Sequence, residues 1–176
     1  MNHLVIAPVL LPLLTGILLL LQHAVGANSF AHLTLQRVLS VAAVAAQIGL
    51  AVGLMAAVSD GDILVYTLGN WSAPFGIVLV ADRLAAWMLL ITALLSLFAL
   101  LSAIRGTDHT GRHFHVLFQL LLFGLNGAFL TGDLFNLFVF FEILLLASYG
   151  LLLHGGGRLR TRAGLHFVVI NLAGST

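Results

Sequence analysis

The stretch GDLFNLFVFFEILLLASYGLLLHG, residues 132–155, decides the fold class of this chain. From Leu134 to Leu153 it is almost entirely apolar, and a helix rising 1.5 Å per residue over that length reaches about 30 Å, the thickness of a bilayer's hydrocarbon core. The one acidic side chain within Leu134–Leu153, Glu142, lies near the middle of that segment. The stretch therefore predicts a transmembrane helix with a carboxyl group close to the bilayer midplane.

The composition of the whole chain agrees with that interpretation. Of the 176 residues 61% are hydrophobic and 7% are charged, whereas soluble proteins have about 25% charged residues. The cations are seven arginines and the net charge is +1, so no basic stripe could neutralise a nucleic-acid backbone. Without cysteine there is no disulfide, thiolate-bound cluster or c-type haem. We expect an integral membrane protein that contacts lipids, with no cofactor, no metal and no nucleic-acid partner.

Further apolar segments have the length of membrane spans. Lipid offers the backbone no hydrogen-bond partner, so each segment is expected to be helical. We predict an all-α polytopic bundle with five complete transmembrane helices and a truncated sixth, in one domain over residues 1–176 that is the N-terminal part of a longer subunit. The predicted helices are Leu4–Leu21, Val38–Val58, Leu84–Ile104, Phe114–Thr131 and Leu134–Leu153, with the sixth beginning near Leu165.

The stretch Asp62–Asp82 is apolar enough to suggest another span, but turn residues interrupt it. Gly69-Asn70 and Pro74 separate two short β-branched runs, Ile63–Leu68 and Ile77–Val80. This pattern predicts a short hairpin or re-entrant loop between helices 2 and 3.

The arginines predict the orientation. If the Asp62–Asp82 stretch does not cross the membrane, Arg37, Arg105–Arg112 and Arg158–Arg162 fall in loops on one side, and Arg83 alone falls on the other. Positive charge concentrates on the cytoplasmic side of membrane proteins. The sequence thus predicts a multi-pass protein of the cell (inner) membrane, with the N-terminus outside and these arginine-bearing loops in the cytoplasm.

Glu142 is the candidate for chemistry. An acidic side chain at the midplane costs several kcal/mol and usually serves transport. Helical periodicity gives it the neighbours Phe135, Phe138, Leu145 and Tyr149. We predict that Glu142 carries protons; the alternative is a glutamate held in a buried ion pair or hydrogen bond that only joins helices.

Gln119, Asn126 and Asp133 recur every seven residues and so share one face of helix 4 and its exit. Polar side chains in lipid must face protein or water. They could line a hydrated proton path towards Glu142, or they could form interhelical hydrogen bonds without any path. Asp133 also directly precedes helix 5, where a carboxylate caps free backbone N–H groups, and we favour that role for it.

The eight histidines raise two further hypotheses. His109, His113 and His115 lie close together before helix 4, but no cysteine or glutamate accompanies them and we do not predict a metal site. His166, near the start of helix 6, could relay protons or could be a hydrogen-bonded structural residue.

Two other features are interpreted as structural. Pro8 and Pro12, one turn apart, predict a kink in helix 1. The acids other than Glu142 fall at predicted helix ends or in loops, where water solvates a carboxylate; they are Asp60, Asp62, Asp82, Asp108 and Asp133.

The run at residues 132–155, with its glutamate after an aromatic series, resembles the membrane subunits of the multisubunit Na⁺/H⁺ antiporters and the related subunits of respiratory complex I. LGNWSAPFGIVLVADRLAAWMLL, residues 68–90, matches the same families. FVFFEILLLASYGLL and LHFVVINLAGS are most similar to the D subunit of the antiporters, because the A subunit and the complex I subunits typically have tryptophan where Phe141 stands.

This resemblance implies a fold of about fourteen helices with two inverted five-helix repeats, the first beginning within residues 113–176. It implies that Glu142 is the family's proton-handling glutamate, in a subunit that exchanges Na⁺ or K⁺ for H⁺ beside other subunits of a hetero-oligomeric complex. The alternative is a proton-pumping subunit of a complex I-like NADH:quinone oxidoreductase. The family pairs the glutamate with a lysine in a later helix, and this sequence has no lysine.

Overall fold

A computed structural model describes residues 3–25, 30–70, 76–111 and 113–175 of the chain. Within these ranges it consists of six α-helices and one two-stranded antiparallel hairpin. The elements are α1 (Ala7–Val25), α2 (Phe30–Ala57), β1 (Leu64–Thr67), β2 (Val78–Ala81), α3 (Arg83–Ile104), α4 (Phe114–Leu130), α5 (Leu134–Leu152) and α6 (Arg158–Ser175).

The hairpin between α2 and α3 confirms the interpretation of the interrupted apolar stretch. Leu64 pairs with Ala81 and Thr67 with Val78. Gly69 takes a φ of 65°, a conformation that glycine adopts without strain, so the first strand ends in a turn. Pro74, the other predicted turn residue, lies outside the described residues. The hairpin also contacts the α4–α5 connection, where the Gly132 N–H donates to the Val78 carbonyl at 2.8 Å.

Among the residues that the structure describes, two buried apolar clusters hold the bundle together at its opposite ends. The larger lies under the hairpin and joins it to α1, α2, α3 and the end of α4. Its members are Val5, Val9, Ala51, Leu54, Val58, Leu79, Ala81, Ala85, Ala86, Leu89 and Leu130. The smaller contains Val44, Leu100, Phe118 and Leu122, from α2, α3 and α4. The hairpin end therefore has the larger apolar core.

Polar groups define several helix ends. The Asp82 carboxylate accepts from the Ala85 N–H at 2.7 Å and starts α3. Next to it the Arg83 guanidinium donates to the Val58 carbonyl at 3.3 Å and to the Ser59 carbonyl, which satisfies backbone acceptors at the end of α2. The one arginine expected outside thus joins the end of α2 to the start of α3.

Two predicted helix starts differ from the structure by more than one helical turn. Helix 2 was expected to begin at Val38, with Arg37 in the preceding loop, but α2 already begins at Phe30 and includes Arg37. The expectation was wrong because Arg37 is neutralised by a partner that is distant in sequence, as described below. Helix 6 was expected near Leu165, whereas α6 begins at Arg158 because exposed arginines occupy its first turns.

Length and composition identify three helices among the described residues that could cross a membrane: His32–Ala57, Arg83–Ile104 and Leu134–Leu152. Two shorter apolar helices, Ala7–Gln22 and Phe114–Leu130, accompany them. The chain is thus predominantly helical with at least three candidate spans.

Candidate functional site

Glu142 lies in the middle of α5 and is half-buried. The positions of α5 that touch α4 include Phe140, whose carbonyl faces Gly124, and Leu144, whose N–H faces the same glycine. At 100° per residue Glu142 lies on the opposite side of α5 from both of them. Its carboxyl group therefore belongs to the face of α5 that α4 does not cover.

The face that carries Glu142 is largely open. Phe135 is 75% exposed and Phe138 is 53% exposed. Tyr149 is buried and packs edge-on against Phe167 of α6, with ring centroids 5.8 Å apart. Among the described residues, Glu142 has no hydrogen bond or ion pair. The carboxyl group is thus free of internal partners in the described part of the chain.

Gln119 and Asn126 lie on the other side of α4 and are almost completely buried, at 1% and 0% exposure. The Asn126 Nδ2 donates to the Pro8 carbonyl of α1 at 2.9 Å. A Cβ atom on Gly16 of α1 would lie 3.5 Å from the Gln119 Cβ, so the two helices approach closely there. The sequence left open whether these side chains line a proton path or form interhelical hydrogen bonds. For Asn126 the structure shows an interhelical hydrogen bond.

The Pro8 carbonyl is an acceptor because of Pro12. In a helix this carbonyl would accept the N–H of residue 12, and proline has none. Two side-chain amides replace it: Asn126 from α4 and Gln47 from α2, whose Nε2 also donates at 2.9 Å. The proline pair thus provides the point at which α1, α2 and α4 are joined by hydrogen bonds.

Asp133 caps α5, as favoured from the sequence. Its carboxylate accepts from the Asn136 N–H at 2.9 Å and from the Asn136 side-chain amide. The capping role is therefore confirmed. Its membership of a proton path remains a prediction.

His166 is exposed on α6, and its Nδ1 lies 2.8 Å from the Arg162 carbonyl one turn earlier. The ring has a local hydrogen bond, in line with the structural interpretation. Its role as a proton relay is untested by this geometry.

Asp108 departs most from the sequence interpretation. We expected a solvated loop carboxylate, but the side chain is completely buried. Arg37 binds it through two nitrogens, Nε at 2.6 Å and Nη2 at 2.8 Å. Burial by itself raises the pKa of Asp108, but the hydrogen bond and the charge of Arg37 outweigh it, so the pKa lies below its ordinary value. The expectation was wrong because Arg37, 71 residues away in the sequence, replaces the lost water.

Two of the clustered histidines are near this ion pair. His115 is buried, and its Nε2 lies 3.4 Å from Asp108 Oδ2 without hydrogen-bond geometry. His109 is exposed, with Nδ1 3.7 Å from Asp108 Oδ1. Within the described residues no three ligating side chains come together as a metal site would need.

The sequence interpretation identified only Gln119 and Asn126 of a longer buried polar row, which we call the polar seam. It consists of Gln36, Ser40 and Gln47 on α2, His115, Gln119 and Asn126 on α4, and the Pro8 carbonyl of α1. The signal was present in the spacing, because both side-chain sets follow steps of four and seven residues. The structure brings Gln119 and Asn126 together in this seam, but not with Glu142, Asp133 or His166.

Comparison with known proteins gives strong similarity along the chain. It is 51% identical, over 99% of its residues, to the D subunit of a probable K⁺/H⁺ antiporter of Rhizobium meliloti (strain 1021), and 44% identical, over the same share, to the D subunit of a Na⁺/H⁺ antiporter of Alkalihalophilus pseudofirmus. It covers 32% and 34% of those relatives, so it spans about a third of their length. No protein-family model matches the chain.

Solved structures show the same relationship. The chain matches the Mrp complex from Dietzia sp. DQ12-45-1b with a TM-score of 0.85 and 31% identity, over 99% of this chain and 33% of that one. It matches respiratory complex I from Thermus thermophilus with a TM-score of 0.74 and 28% identity, over 97% and 33%. These similarities confirm the resemblance drawn from the sequence. The chain is a multi-pass membrane protein homologous to antiporter D subunits.

Proposed function

We propose that this chain, a homologue of antiporter D subunits over nearly its whole length, acts as an ion-translocating membrane subunit of a multisubunit cation/proton antiporter. Glu142 carries protons in this proposal, and Na⁺ or K⁺ is the exchanged cation. Activity requires the other subunits of the hetero-oligomeric complex. The similarity to these D subunits supports the class of transporter, and the position of Glu142 supports the residue.

The observation that carries the role of Glu142 is its lack of internal partners, among the described residues, on a largely open face of an apolar helix. A glutamate that merely joined helices would be expected to meet a donor or a cation on a neighbouring element. A carboxyl group that exchanges protons must instead remain accessible to changing partners. The family resemblance provides one such partner, a lysine in a membrane helix. This chain has no lysine. We propose that the partner lysine corresponds to the region of the relatives that this chain does not cover.

We further propose that α1 to α5 all cross the cell (inner) membrane and that α6 forms part of a sixth span. The 17 residues of α4 reach about 26 Å at 1.5 Å each, at the short end of the range for spanning helices. The N-terminus faces outward, and the ends of the helices near Arg37, Arg105 and Arg158–Arg162 face the cytoplasm.

Transport in sealed vesicles tests the role of Glu142. The complete complex is expressed in cells that lack other Na⁺/H⁺ and K⁺/H⁺ antiporters, and exchange is followed by the collapse of a pH gradient on adding Na⁺ or K⁺. Glu142→Gln keeps the side-chain shape but cannot titrate, so exchange should fall to background while assembly persists. Glu142→Asp should retain a fraction. Asp62→Asn, which removes an exposed carboxylate, is the matched control and should exchange like the parent.

Near-parental exchange by an assembled Glu142→Gln complex would disprove the carrier role. The orientation has a separate test, since the chain has no cysteine. A cysteine at exposed Asp62 should react with an impermeant thiol reagent added to intact cells, and one at exposed Thr161 should react only after permeabilisation. The reverse result would invert the orientation.

A proton-pumping subunit of a quinone-linked oxidoreductase is the second candidate, and the similarity to complex I of Thermus thermophilus favours it. The two candidates differ in their partners. Because this chain has no cysteine, iron–sulfur clusters would have to come from other subunits. Electron paramagnetic resonance of the reduced, purified complex distinguishes them: cluster signals favour the oxidoreductase, and their absence favours the antiporter.

A further inference from the structure

The polar seam contains several side-chain atoms that are buried and have no hydrogen-bond partner among the described residues. Its side chains are between 0% and 4% exposed. The unpaired atoms are Ser40 Oγ, Gln47 Oε1, His115 Nδ1, Gln119 Nε2 and Asn126 Oδ1, whereas His115 Nε2 faces the Asp108 carboxylate at 3.4 Å. Leaving such an atom unpaired costs about 1–3 kcal/mol, so the presence of several in one row indicates a ligand between the helices.

The helices hold these atoms along one line. Gln47 and Asn126 meet at the same carbonyl, and Arg37 of α2 meets Asp108 just before α4 begins. The helices α2 and α4 therefore run in the same direction. In that register Ser40 lies at the level of Gln119, and Gln36 at the level of His115. The row extends from His115 to Asn126 on α4, and the eleven steps of 1.5 Å between them span about 17 Å.

The unpaired atoms specify what the ligand must offer. The amide nitrogens of Gln47 and Asn126 face the Pro8 carbonyl, so their oxygens remain as acceptors. The Gln119 amide nitrogen is a donor, and Nδ1 of a neutral His115 donates or accepts according to the tautomer. A cation would satisfy the oxygens but repel the amide nitrogen. The one carboxylate beside the row among the described residues, Asp108, is already neutralised by Arg37. A ligand that both donates and accepts, without charge, fits all of these atoms.

We propose that the polar seam is a binding site for a row of ordered water molecules that joins α1, α2 and α4. This site is separate from Glu142, because α4 meets α5 through its opposite side, where Gly124 touches the α5 backbone. The water completes the hydrogen bonds of the seam and fixes α4 against α1 and α2. The proposal does not depend on cation/proton exchange.

Radiolytic labelling with short X-ray pulses tests it on the complete protein. The pulses convert bound water to hydroxyl radicals, which oxidise the adjacent side chains, and mass spectrometry locates the products. Buried Pro8 and His115 should be oxidised. Leu54 and Leu89 are equally buried but lie in the apolar cluster, and after correction for intrinsic reactivity they should not be. Labelling of Pro8 and His115 no higher than that of the two leucines would overturn the proposal.

A variant and an isotope measurement complete the test. Replacing both Gln119 and Asn126 by Leu removes two of the groups that hold water, so the label at His115 and Pro8 should be lost. An unchanged label would show that the oxidising radicals came from bulk solvent. In the unmodified protein, ¹⁸O from freshly mixed H₂¹⁸O should enter the product at His115 more slowly than at His109, which is exposed. Equal entry at the two histidines would also refute bound water, whether or not the variant folds.

Discussion

The two sides of α4 pack by different means. Towards α1 and α2, α4 presents amides and a histidine that are buried, with one amide held by a backbone carbonyl. Towards α5 it presents Gly124 and Gly127, where the absence of a side chain lets the helices approach closely. Polar groups inside a membrane protein therefore need not mark a transport path. Here they join α4 to α1 and α2. The candidate for transport, Glu142, lies instead on the face of α5 that α4 does not cover.

Loss of the Arg37–Asp108 ion pair, near the start of α4, should have the largest effect on stability. Arg37→Ala leaves Asp108 buried without its cation, which should cost about 3 kcal/mol of unfolding free energy; this is the low end for a broken buried pair, because the Arg37 side chain keeps 27% exposure. Thermal unfolding of the purified protein measures it. Arg162→Ala, on exposed α6, is the matched control and should unfold like the parent. If Arg37→Ala unfolded at the same temperature as the parent, the ion pair would not stabilise the packing of α2 against the start of α4.

The same ion pair predicts a pH dependence. The pKa of Asp108 is lowered in the folded protein, so its stabilisation is fully present above the unfolded-state pKa, near 3.8, and is lost as the pH falls below that towards the folded-state pKa. The unfolding free energy of the parent should therefore lose this contribution only in strong acid. In Arg37→Ala burial raises the pKa of Asp108 instead, so the difference between parent and variant should be largest near neutrality and shrink as the pH falls through that raised pKa. A difference that stays constant from neutrality into strong acid would show that Asp108 is not left buried and unpaired in the variant.

The glycine side should respond to size. A Cβ on Gly124 would lie 2.8 Å from the Leu144 nitrogen and 2.9 Å from the Phe140 oxygen, both backbone atoms that cannot turn away. Gly124→Ala should cost about 1–3 kcal/mol of unfolding free energy through overpacking. Gly49→Ala in α2 has nothing within 4 Å of the new atom and should be neutral or slightly stabilising. Equal behaviour of the two variants would mean that α4 and α5 are not in close contact.

The smallest effect should come from the cap of α5. Asp133→Ala removes the acceptor of the Asn136 N–H and should cost about 1 kcal/mol. Asp82→Ala, which removes the equivalent cap of α3, should cost the same. If Asp133 also carries protons, its variant would lose exchange activity far beyond this loss of stability, whereas a cap alone would leave the two variants alike in exchange.

Much of the fold follows from local signals in the sequence. The length of the apolar runs predicted α3, α4 and α5 to within a residue or two, and turn chemistry at Gly69 predicted the hairpin. The spacing of the polar side chains on α2 and α4 was visible, but their meeting at the Pro8 carbonyl was not, because it depends on amides that arrive from two other helices. Asp108 was misjudged for the same reason: its burial depends on Arg37, and no local pattern connects them.

Infrared difference spectroscopy of the complete complex tests the central claim most directly, since it detects the proton on Glu142 itself. Spectra taken with and without the transported cation should contain a protonated-carboxyl band that disappears when the cation is present. The band should be missing in Glu142→Gln and unchanged in Asp62→Asn. A band that persists in Glu142→Gln, or a parental spectrum with no carboxyl change, would contradict the proposal that Glu142 carries protons.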